Sequence, residues 1–396
     1  MMKRRPVVLL LLLLTGGVLP TPAQGEESGS AMAAQIEGRQ SPSRRELDSF
    51  TLQEIMQKYR VPGVSVAVVS GFGVHWAKGY GVADVETDRP VDVDTRFQAA
   101  SISKPVTTMA VLKAVQGNRL SLDADVNTIL KSWKVPDSDL TTTTPVTPRT
   151  LLSHTSGAGD GFGFPGYHPA QARPSLVQIL AGASPSNVGP VFFERPPFTG
   201  YKYSGGGFVI MQLALMEALG RPFAEILRES VLDPLRMAHS TYEQPLPAAL
   251  ESKAARAHSR DGKAMDARWH VYPEQAAAGL WTTPTDLAAF VVEVQRALRG
   301  PAGRVLSQAM AKEMVAPVGI GPYGLGLVVN RRGEGWYFSH GGVNWGFHCV
   351  LLGHVRRGYG VVVMTNGDSG TLVINEIEAR VAAAYRWDSL EKPIPR

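Results

Sequence analysis

The chain has 396 residues, of which 44% are hydrophobic and 19% are charged. This ordinary globular composition is large enough for one big domain or two interleaved subdomains. The formal net charge is only +5, and three of the basic residues stand at positions 3–5, so no nucleic-acid-binding surface is indicated. Cys349 is the single cysteine, which excludes an internal disulfide.

Residues 1–23 have the pattern of a secretory signal peptide. A basic start precedes the apolar run at residues 7–14, and residues 21–23 (Thr-Pro-Ala) form a small-residue cleavage site. The alternative is a membrane anchor, but such a short apolar run cannot cross about 30 Å of hydrocarbon. We therefore expect a periplasmic or secreted protein, cleaved near Ala23, with no stable membrane span once the signal is removed.

Residues 24–45 are rich in Gly, Ser, Ala and charged residues and show no periodicity, which predicts a linker. One domain is predicted over residues 46–388, followed by a C-terminal tail at 389–396. Periodicity and turn signals predict the following elements. They are helices over 47–59, after Ser101, over 208–219, 223–231, 287–298 and 375–385, and strands over 64–69, 74–82, 323–330, 335–339, 349–354 and 359–365.

Strands at both ends of this domain, with helices between them, predict an α+β fold. We expect an antiparallel sheet built from both termini, with flanking helices and an inserted, mostly helical lobe. A long stretch rich in glycine, proline and aromatic residues follows S-H-T-S-G at residues 153–157 and runs to about Pro197. Irregular segments of this length in a compact domain usually line a site.

Ser101 and Lys104 lie one helical turn apart, so the lysine amine can reach the serine hydroxyl and take its proton. The helix that follows is apolar nearly all round, which is typical of a buried helix. Ser101 would then lie at its N-terminus with its backbone N–H free to donate. The alternative is that Ser101 merely caps the helix and Lys104 points to water, because one Ser-x-x-Lys match is expected by chance in a chain of about this length.

Two further motifs follow. Residues 201–208 read Y-K-Y-S-G-G-G-F, in which Tyr203 could equally be an ordinary aromatic residue beside a turn. Residues 338–347 read F-S-H-G-G-V-N-W-G-F, in which His340 alone would more often be a surface histidine. The glycine pair Gly341 and Gly342 indicates a strand that another backbone or a ligand approaches closely.

In this order and context, the three motifs resemble those of the serine β-lactamase and penicillin-binding protein superfamily. The chain looks closest to the class C β-lactamase-related serine hydrolases, which include esterases, D-aminopeptidases and D-Ala-D-Ala carboxypeptidases. The resemblance runs from about Leu47 to Ala384. It includes L-L-S-H-T-S-G at Leu151, L-D-P-L-R-M at Leu232, A-A-G-L-W-T-T-P-T-D-L at Ala277 and M-T-N at Met364.

The resemblance implies roles for individual residues. Ser101 would be the acylated nucleophile, and Lys104 and Tyr203 would transfer protons. His340 stands where the third motif has lysine or histidine, and as a histidine it would change charge near pH 6.5. The backbone N–H groups of Ser101 and Val343 would form the oxyanion hole.

The resemblance also implies that Gly205, Gly341, Gly342 and Asn344 bind the substrate. Gly205 departs from the family pattern, which has an asparagine whose amide helps to position the acylamino group of the substrate. This departure puts turnover of β-lactams and peptides in doubt, whereas ester cleavage needs fewer positioning contacts.

The resulting expectation is a secreted serine hydrolase that cleaves an ester, peptide or β-lactam through an acyl-enzyme. No cofactor or nucleic-acid partner is expected, and the nine histidines show no H-E-x-x-H or similar metal-ligand spacing. The alternative is a penicillin- or peptidoglycan-binding sensor or scaffold with little turnover.

Overall fold

A computed structural model describes residues 28–43, 45–161, 163–301, 303–332 and 334–387. The predicted signal peptide (1–23) and C-terminal tail (389–396) lie outside the described residues. The helices are α1 (Gly29–Glu37), α2 (Leu52–Tyr59), α3 (Ser103–Gln116), α4 (Pro148–Leu152), α5 (Leu176–Ala181), α6 (Gly205–Leu219), α7 (Phe223–Leu227), α8 (Asp233–Leu235), α9 (Ala248–Glu251), α10 (Gln275–Ala278), α11 (Pro284–Arg299), α12 (Gln308–Val315) and α13 (Gly370–Ala384). The strands are β1 (Gly63–Ser70), β2 (Gly73–Asp84), β3 (Arg89–Pro90), β4 (Phe97–Gln98), β5 (Trp281–Thr282), β6 (Val328–Arg332), β7 (Gly335–Asn344), β8 (Phe347–His354) and β9 (Gly360–Thr365).

Seven of the strands form one antiparallel sheet in the order β3-β2-β1-β9-β8-β7-β6. The N-terminal strand β1 pairs directly with the C-terminal strand β9, so both ends of the domain meet at the centre of the sheet. This arrangement confirms the predicted α+β fold with a sheet built from both termini. The short strands β4 and β5 form a second, two-stranded sheet.

The alternation of side chains along β1 explains why helices cover both faces of the sheet. Val64, Val66 and Val68 belong to the apolar cluster that α1, α2 and α13 form on one face. Ala67 and Val69 belong to the larger cluster on the other face, which includes α3, α6 and α11. Apart from its serines, the strand is therefore apolar on both faces, as expected for a strand buried on both sides.

Helix α3 passes through the larger cluster, and its residues from Ser103 to Leu112 are all buried. This confirms the buried helix that the sequence predicts after Ser101. The N-terminus of α3 lies beside β7 and α10, and these contacts position the candidate active site.

The segment predicted as a linker needs a correction, because residues 29–37 of it form helix α1. Met32 and Ile36 are buried against α13, and the backbone carbonyls of Ile36 and Gly38 accept hydrogen bonds from the buried Arg380 guanidinium at 3.1 and 2.9 Å. Helix α1 has a single short apolar face, which a search for sustained periodicity does not detect.

Three predicted boundaries also differ from the structure. The helix predicted over 47–59 is a 3₁₀ turn (Glu46–Ser49) followed by α2, because Thr51 caps a new helix with Glu54 as its capping-box partner. The strand predicted over 323–330 begins only at Val328, since Gly326 has a left-handed φ of +70°. The last helix begins at Gly370, five residues earlier than predicted.

The helix predicted over 223–231 is also interrupted: α7 is followed by a π-helical turn over Arg228–Leu232. Across the part of the chain that the structure describes, no helix combines the length and the apolar character needed to cross a bilayer.

Candidate active site

Ser101 lies in a 3₁₀ turn (Ala100–Ile102) that leads directly into α3. Ala100, just before it, has a left-handed φ of +48°, which is uncommon for a residue with a side chain. The turn is fixed from below, because the N–H of Ala99 donates to the carbonyl of Leu280 at 2.8 Å. This sharp turn presents the half-buried Ser101 side chain at the N-terminus of a buried helix, where the helix dipole favours negative charge.

Lys104 is completely buried, and its Nζ makes two hydrogen bonds. It donates to Ser101 Oγ at 3.0 Å and to the carbonyl of Ala277, in α10, at 2.8 Å. Burial disfavours the ammonium form and lowers the pKa of Lys104 to about 7, although the Asp160 carboxylate partly opposes this shift. A substantial fraction of the lysine is therefore neutral at neutral pH and able to accept a proton.

Tyr203 lies next to Ser101 and Lys104. Its ring centroid is 5.0 Å from Lys104 Nζ. Burial raises the pKa of Tyr203 to about 12, while a hydrogen bond with the Ser101 side chain lowers it. Tyr203 therefore remains protonated at neutral pH. Tyr201, the other tyrosine of the motif, stacks instead on Tyr323 with ring centroids 5.6 Å apart.

His154 clamps the backbone on both sides of Tyr203. Its carbonyl accepts the N–H of Lys202 at 3.0 Å, and its Nδ1 accepts the N–H of Ser204 at 3.1 Å. The imidazole packs against the Tyr203 ring with centroids 4.4 Å apart. Burial holds the pKa of His154 well below its usual range, so the ring is neutral and Nε2 carries its hydrogen.

Asp160 fixes the start of α6, which follows Tyr203. Its carboxylate accepts the Ser204 hydroxyl at 2.6 Å and the N–H of Gly206 at 2.8 Å. The Ser204 hydroxyl in turn accepts the N–H of Gly207 at 2.8 Å as the N-cap of α6. The Tyr203 side chain therefore projects from a backbone that His154 and Asp160 hold from two directions.

His340 is buried in β7, and its Nδ1 lies 2.6 Å from the carbonyl oxygen of Gly341. That contact places the hydrogen on Nδ1 and leaves Nε2 as an acceptor, which has no protein partner among the described residues. Burial, together with the nearby Lys104, lowers the pKa of His340 to about 3. The expectation that this histidine changes charge near pH 6.5 is therefore corrected: it is neutral throughout the physiological range.

Gly342 allows β7 to approach the Ser101 turn. A Cβ on this residue would lie 2.4 Å from the carbonyl oxygen of Ala99 and 3.0 Å from the Ala100 Cβ, so a side chain does not fit. The close approach places Val343, the next residue of β7, beside Ser101 at the rim of the site. Beyond Ser339 the residues of β7 have no partner in β6, so this edge is open towards Ser101.

The remaining predicted substrate contacts have different surroundings. Gly341 is exposed and lines the cavity at Ser101. Asn344 is buried, and its amide donates to Gln98 Oε1 and to the carbonyl of Ala278, both at 3.1 Å. Gly205 is the buried first residue of α6. Of the four predicted residues, the structure therefore places Gly341 and Gly342 at the cavity, whereas the Asn344 amide connects β7 to β4 and α10.

A cavity of about 720 Å³ opens at Ser101 and Tyr203. It passes over the open edge of β7 and reaches the first turns of α13. Its lining comprises Ser101, Gly163, Phe164, Pro165, Tyr203, Gly341, Gly342, Val343, Cys349, Val350, Thr371, Ile374 and Asn375. A groove of about 870 Å³ between α1, α2 and β2 is larger but contains none of the four residues Ser101, Lys104, Tyr203 and His340.

The sequence did not identify the residues that hold the site together. His154 belongs to the motif S-H-T-S-G, which by itself predicts no function for the histidine. Asp160 lies in the glycine-rich stretch that follows this motif and is predicted to line a site. The Ala277 carbonyl, which accepts a hydrogen bond from Lys104, carries no side-chain signal at all. Within the described part of the chain, the structure shows no group of histidine, cysteine and acidic side chains able to hold a metal ion.

A family model described as Beta-lactamase matches residues 51–385. The chain belongs to the beta-lactamase family. The match covers the whole sheet and every residue of the site, which confirms the resemblance drawn from the three motifs.

Among curated proteins, Protein flp of Staphylococcus aureus (strain MW2) is 24% identical to this family member over 336 residues, which is 83% of the chain. The aligned part covers 64% of the length of that relative. Among solved structures, the D-amino acid amidase of Ochrobactrum anthropi SV3, complexed with L-phenylalanine amide, superimposes with a TM-score of 0.69 at 23% identity, over 90% of this chain and 99% of that one. The D-alanine carboxypeptidase AmpC of Burkholderia cenocepacia gives a TM-score of 0.67 at 18% identity, over 90% and 99% of the two chains. These similarities show a shared fold.

Proposed function

We propose that the protein is a serine hydrolase that cleaves an ester or amide bond through an acyl-enzyme on Ser101. The observation that carries this proposal is the buried Lys104 Nζ, 3.0 Å from Ser101 Oγ, with a pKa lowered to about 7. A serine hydroxyl becomes a strong nucleophile only when a nearby base takes its proton. Neutral Lys104 is such a base, whereas Tyr203 is protonated at the same pH.

In the acylation step, the Ser101 hydroxyl proton passes to Lys104 Nζ as Oγ attacks the substrate carbonyl carbon. The carbonyl oxygen becomes an oxyanion, which the backbone N–H groups of Ser101 and Val343 stabilise. When the bond to the leaving group breaks, Tyr203 donates its hydroxyl proton to that group and recovers a proton from the Lys104 ammonium. Water then attacks the acyl carbonyl and gives a proton to Lys104 Nζ. Lys104 returns that proton to Ser101 Oγ as the acyl bond breaks and the acid is released.

Within this mechanism, His340 contributes a hydrogen-bond acceptor rather than a charge. Its neutral ring lies 6.3 Å from that of Tyr203, centroid to centroid, and its unpaired Nε2 is buried. A buried polar atom without a partner costs free energy. We therefore expect His340 Nε2 to accept a hydrogen bond from a water molecule or from a hydroxyl or amide group of the substrate.

Among substrates, we favour a simple ester over a peptide or β-lactam. At Gly205 the chain has no side-chain amide to hold an acylamino group, and the Asn344 amide is occupied by two contacts within the protein. An ester has a better leaving group and needs fewer positioning contacts. The amidase and carboxypeptidase named above share the fold and make amide cleavage the second candidate reaction.

We also propose that the protein is exported, with cleavage near Ala23, on the basis of the basic start and apolar run of its first residues. Expression in a bacterial host, followed by fractionation and intact mass measurement, tests this. A periplasmic or secreted product lacking residues 1–23 supports the proposal, and a full-length cytoplasmic product contradicts it.

The decisive experiment for the activity is active-site labelling with a fluorophosphonate, followed by intact mass and peptide mapping. The fluorophosphonate is expected to form one adduct, on Ser101. The unlabelled enzyme should hydrolyse a short-chain para-nitrophenyl ester, and Ser101→Ala should abolish this activity. Ser369→Ala is the matched control, since Ser369 stands in the sequence G-D-S-G and should be dispensable. An adduct mapped to Ser369, Ser153 or Ser156 would overturn the assignment.

Labelling with a fluorescent penicillin, combined with the same ester assay, tests the non-catalytic alternative. A sensor that binds penicillin or peptidoglycan would form a stable adduct with a fluorescent penicillin and show no turnover of any ester. A protein that turns over the ester many times per Ser101 is an enzyme.

A further inference from the structure

We infer that the cavity at Ser101 selects substrates whose acyl chain is apolar and carries no carboxylate at its far end. This inference rests on the proposed function and narrows its substrate class. It follows from the side chains along the path from Ser101 to the first turns of α13.

The walls of this path are apolar. Phe164 forms part of one side, Val343 and Val350 line the floor across β7 and β8, and Ile374 of α13 closes the far end. Val343 has 62% of its surface exposed although it is a large apolar residue in a strand, so an apolar substrate group has surface to cover there. Burying such surface contributes about 25 cal/mol per Å².

No lysine, arginine, aspartate or glutamate side chain lines this cavity within the described residues. The polar side chains at its far end are those of Thr371 and Asn375, both without charge. A carboxylate entering this space would lose water and find no cation to pair with, and an uncompensated charge of that kind is strongly disfavoured.

The catalytic centre supplies no positive charge either. His340 and His154 are buried and neutral, and Lys104, whose pKa is lowered to about 7, is largely neutral above that pH.

Among the described residues near the far end, His348, Asp368 and Arg260 carry, or can acquire, a charge. His348 Nδ1 lies 2.7 Å from the Thr371 hydroxyl, and burial lowers the pKa of His348, which favours its neutral form, although Asp368 partly opposes this shift. Asp368 accepts the N–H of Gly346 at 3.1 Å and lies just before α13. Its negative charge offsets the positive N-terminal end of the helix dipole and repels an incoming carboxylate. Arg260 is exposed on a neighbouring turn, outside the cavity lining, where water and salt screen its charge.

The test compares para-nitrophenyl hexanoate with mono-para-nitrophenyl adipate, which differ in that the terminal methyl of the first is replaced by a carboxylate in the second. Measurements at about pH 8 keep Lys104, His340 and His348 neutral. The native enzyme is expected to show a kcat/KM for the hexanoate that is higher than for the adipate by roughly tenfold or more. A tenfold ratio corresponds to a difference of about 1.4 kcal/mol.

A gain-of-function variant makes the test independent of a simple loss. Asn375→Arg places a cation on the exposed end of the cavity and should raise the ratio of kcat/KM for the adipate to kcat/KM for the hexanoate several-fold. Leu372→Arg is the matched control: Leu372 is 47% exposed on the same helix but does not line the cavity, so this variant should leave the ratio as in the native enzyme.

The outcomes separate this inference from the proposed function. Equal or faster turnover of the adipate by the native enzyme overturns the inference while leaving the hydrolase intact. An identical rise in the Asn375 and Leu372 variants would show a long-range charge effect and also overturns it. If neither ester is hydrolysed and Ser101 forms no adduct, the proposed function itself fails.

Discussion

At the level of single residues, the burial of Lys104 determines how the site works at different pH values. Its lowered pKa of about 7 means that the neutral, proton-accepting form is lost as pH falls through that value. We therefore expect kcat/KM for a neutral aryl ester to rise as pH increases through about 7 and then to level off. A full pH–rate profile measures this directly.

Two variants test whether Lys104 is the group responsible for this rise in kcat/KM with pH. Lys104→Arg should be nearly as inactive as Lys104→Ala, about 10²–10⁴-fold below the native enzyme, because arginine stays protonated. His340→Gln should lower the rate without moving the rise, since His340 is already neutral there. If Lys104→Arg retains a large part of the activity, or if the rise shifts in His340→Gln, another group is the base.

The residues of the centre differ in how far the sequence could identify them. Ser101 and Lys104 are three positions apart across the 3₁₀ turn that leads into α3, so local helical geometry brings them together. Tyr203 and His340 required the resemblance to a family. His154 and Asp160 were missed because their positions depend on the path of an irregular loop, which no periodicity encodes. The neutral state of His340 depends on burial, which cannot be read from neighbouring residues in the sequence.

At the level of secondary structure elements, a buried arginine joins the N-terminal segment to the C-terminal helix. Arg380 of α13 is fully buried, and its guanidinium makes five hydrogen bonds. One goes to Glu376 at 2.8 Å, and the other four go to backbone carbonyls of residues 36, 38, 47 and 50, at 2.7 to 3.1 Å. Arg45 also contacts Glu376, at 3.1 Å, so the buried carboxylate has two cationic partners.

We expect Arg380→Met to destabilise the protein by about 3–5 kcal/mol, because it leaves Glu376 with one partner fewer and four carbonyls without their donor. The shift of the urea unfolding midpoint at unchanged m-value measures this cost. Arg296→Met is the control, since Arg296 is an exposed arginine of helix α11, and it should change stability by no more than about 0.5 kcal/mol. Equal midpoints for the two variants would show that the buried network contributes little.

The elements that could be predicted are those with long and regular patterns. Strands β1 and β9 are β-branched runs, and α3 and α11 have clear starts or an apolar surface of several turns. The strand predicted from Tyr323 was wrong at its start because Gly324 and Gly326 turn the chain before β6, despite alternating apolar residues. The π-helical turn after α7 leaves no mark in the apolar spacing, which continues through it.

At the scale of the whole molecule, the two ends of the domain depend on each other. Strand β1 pairs with β9 at the centre of the sheet, and α1 and α2 pack with α13 over the same face. The sequence predicted the sheet correctly because both ends carry strand patterns that need partners. It did not predict that residues 29–37, which form α1 and precede the family match at residues 51–385, also belong to the folded unit.

The last prediction concerns this N-terminal segment. A chain starting at Gln24, as expected after signal cleavage, retains α1, whereas a chain starting at Glu46 lacks it. The shorter chain should be less stable by about 3 kcal/mol or more, because burying side chains such as Met32 and Ile36 contributes about 1.5–3 kcal/mol each. It also removes two of the carbonyls that pair with Arg380. Urea unfolding of the two chains gives the difference in stability. In the longer chain, Ile36→Ala alone should cost about 2–5 kcal/mol, because it leaves a cavity under α1. Were the two chains equally stable, residues 24–45 would be a linker in function despite the helix they contain.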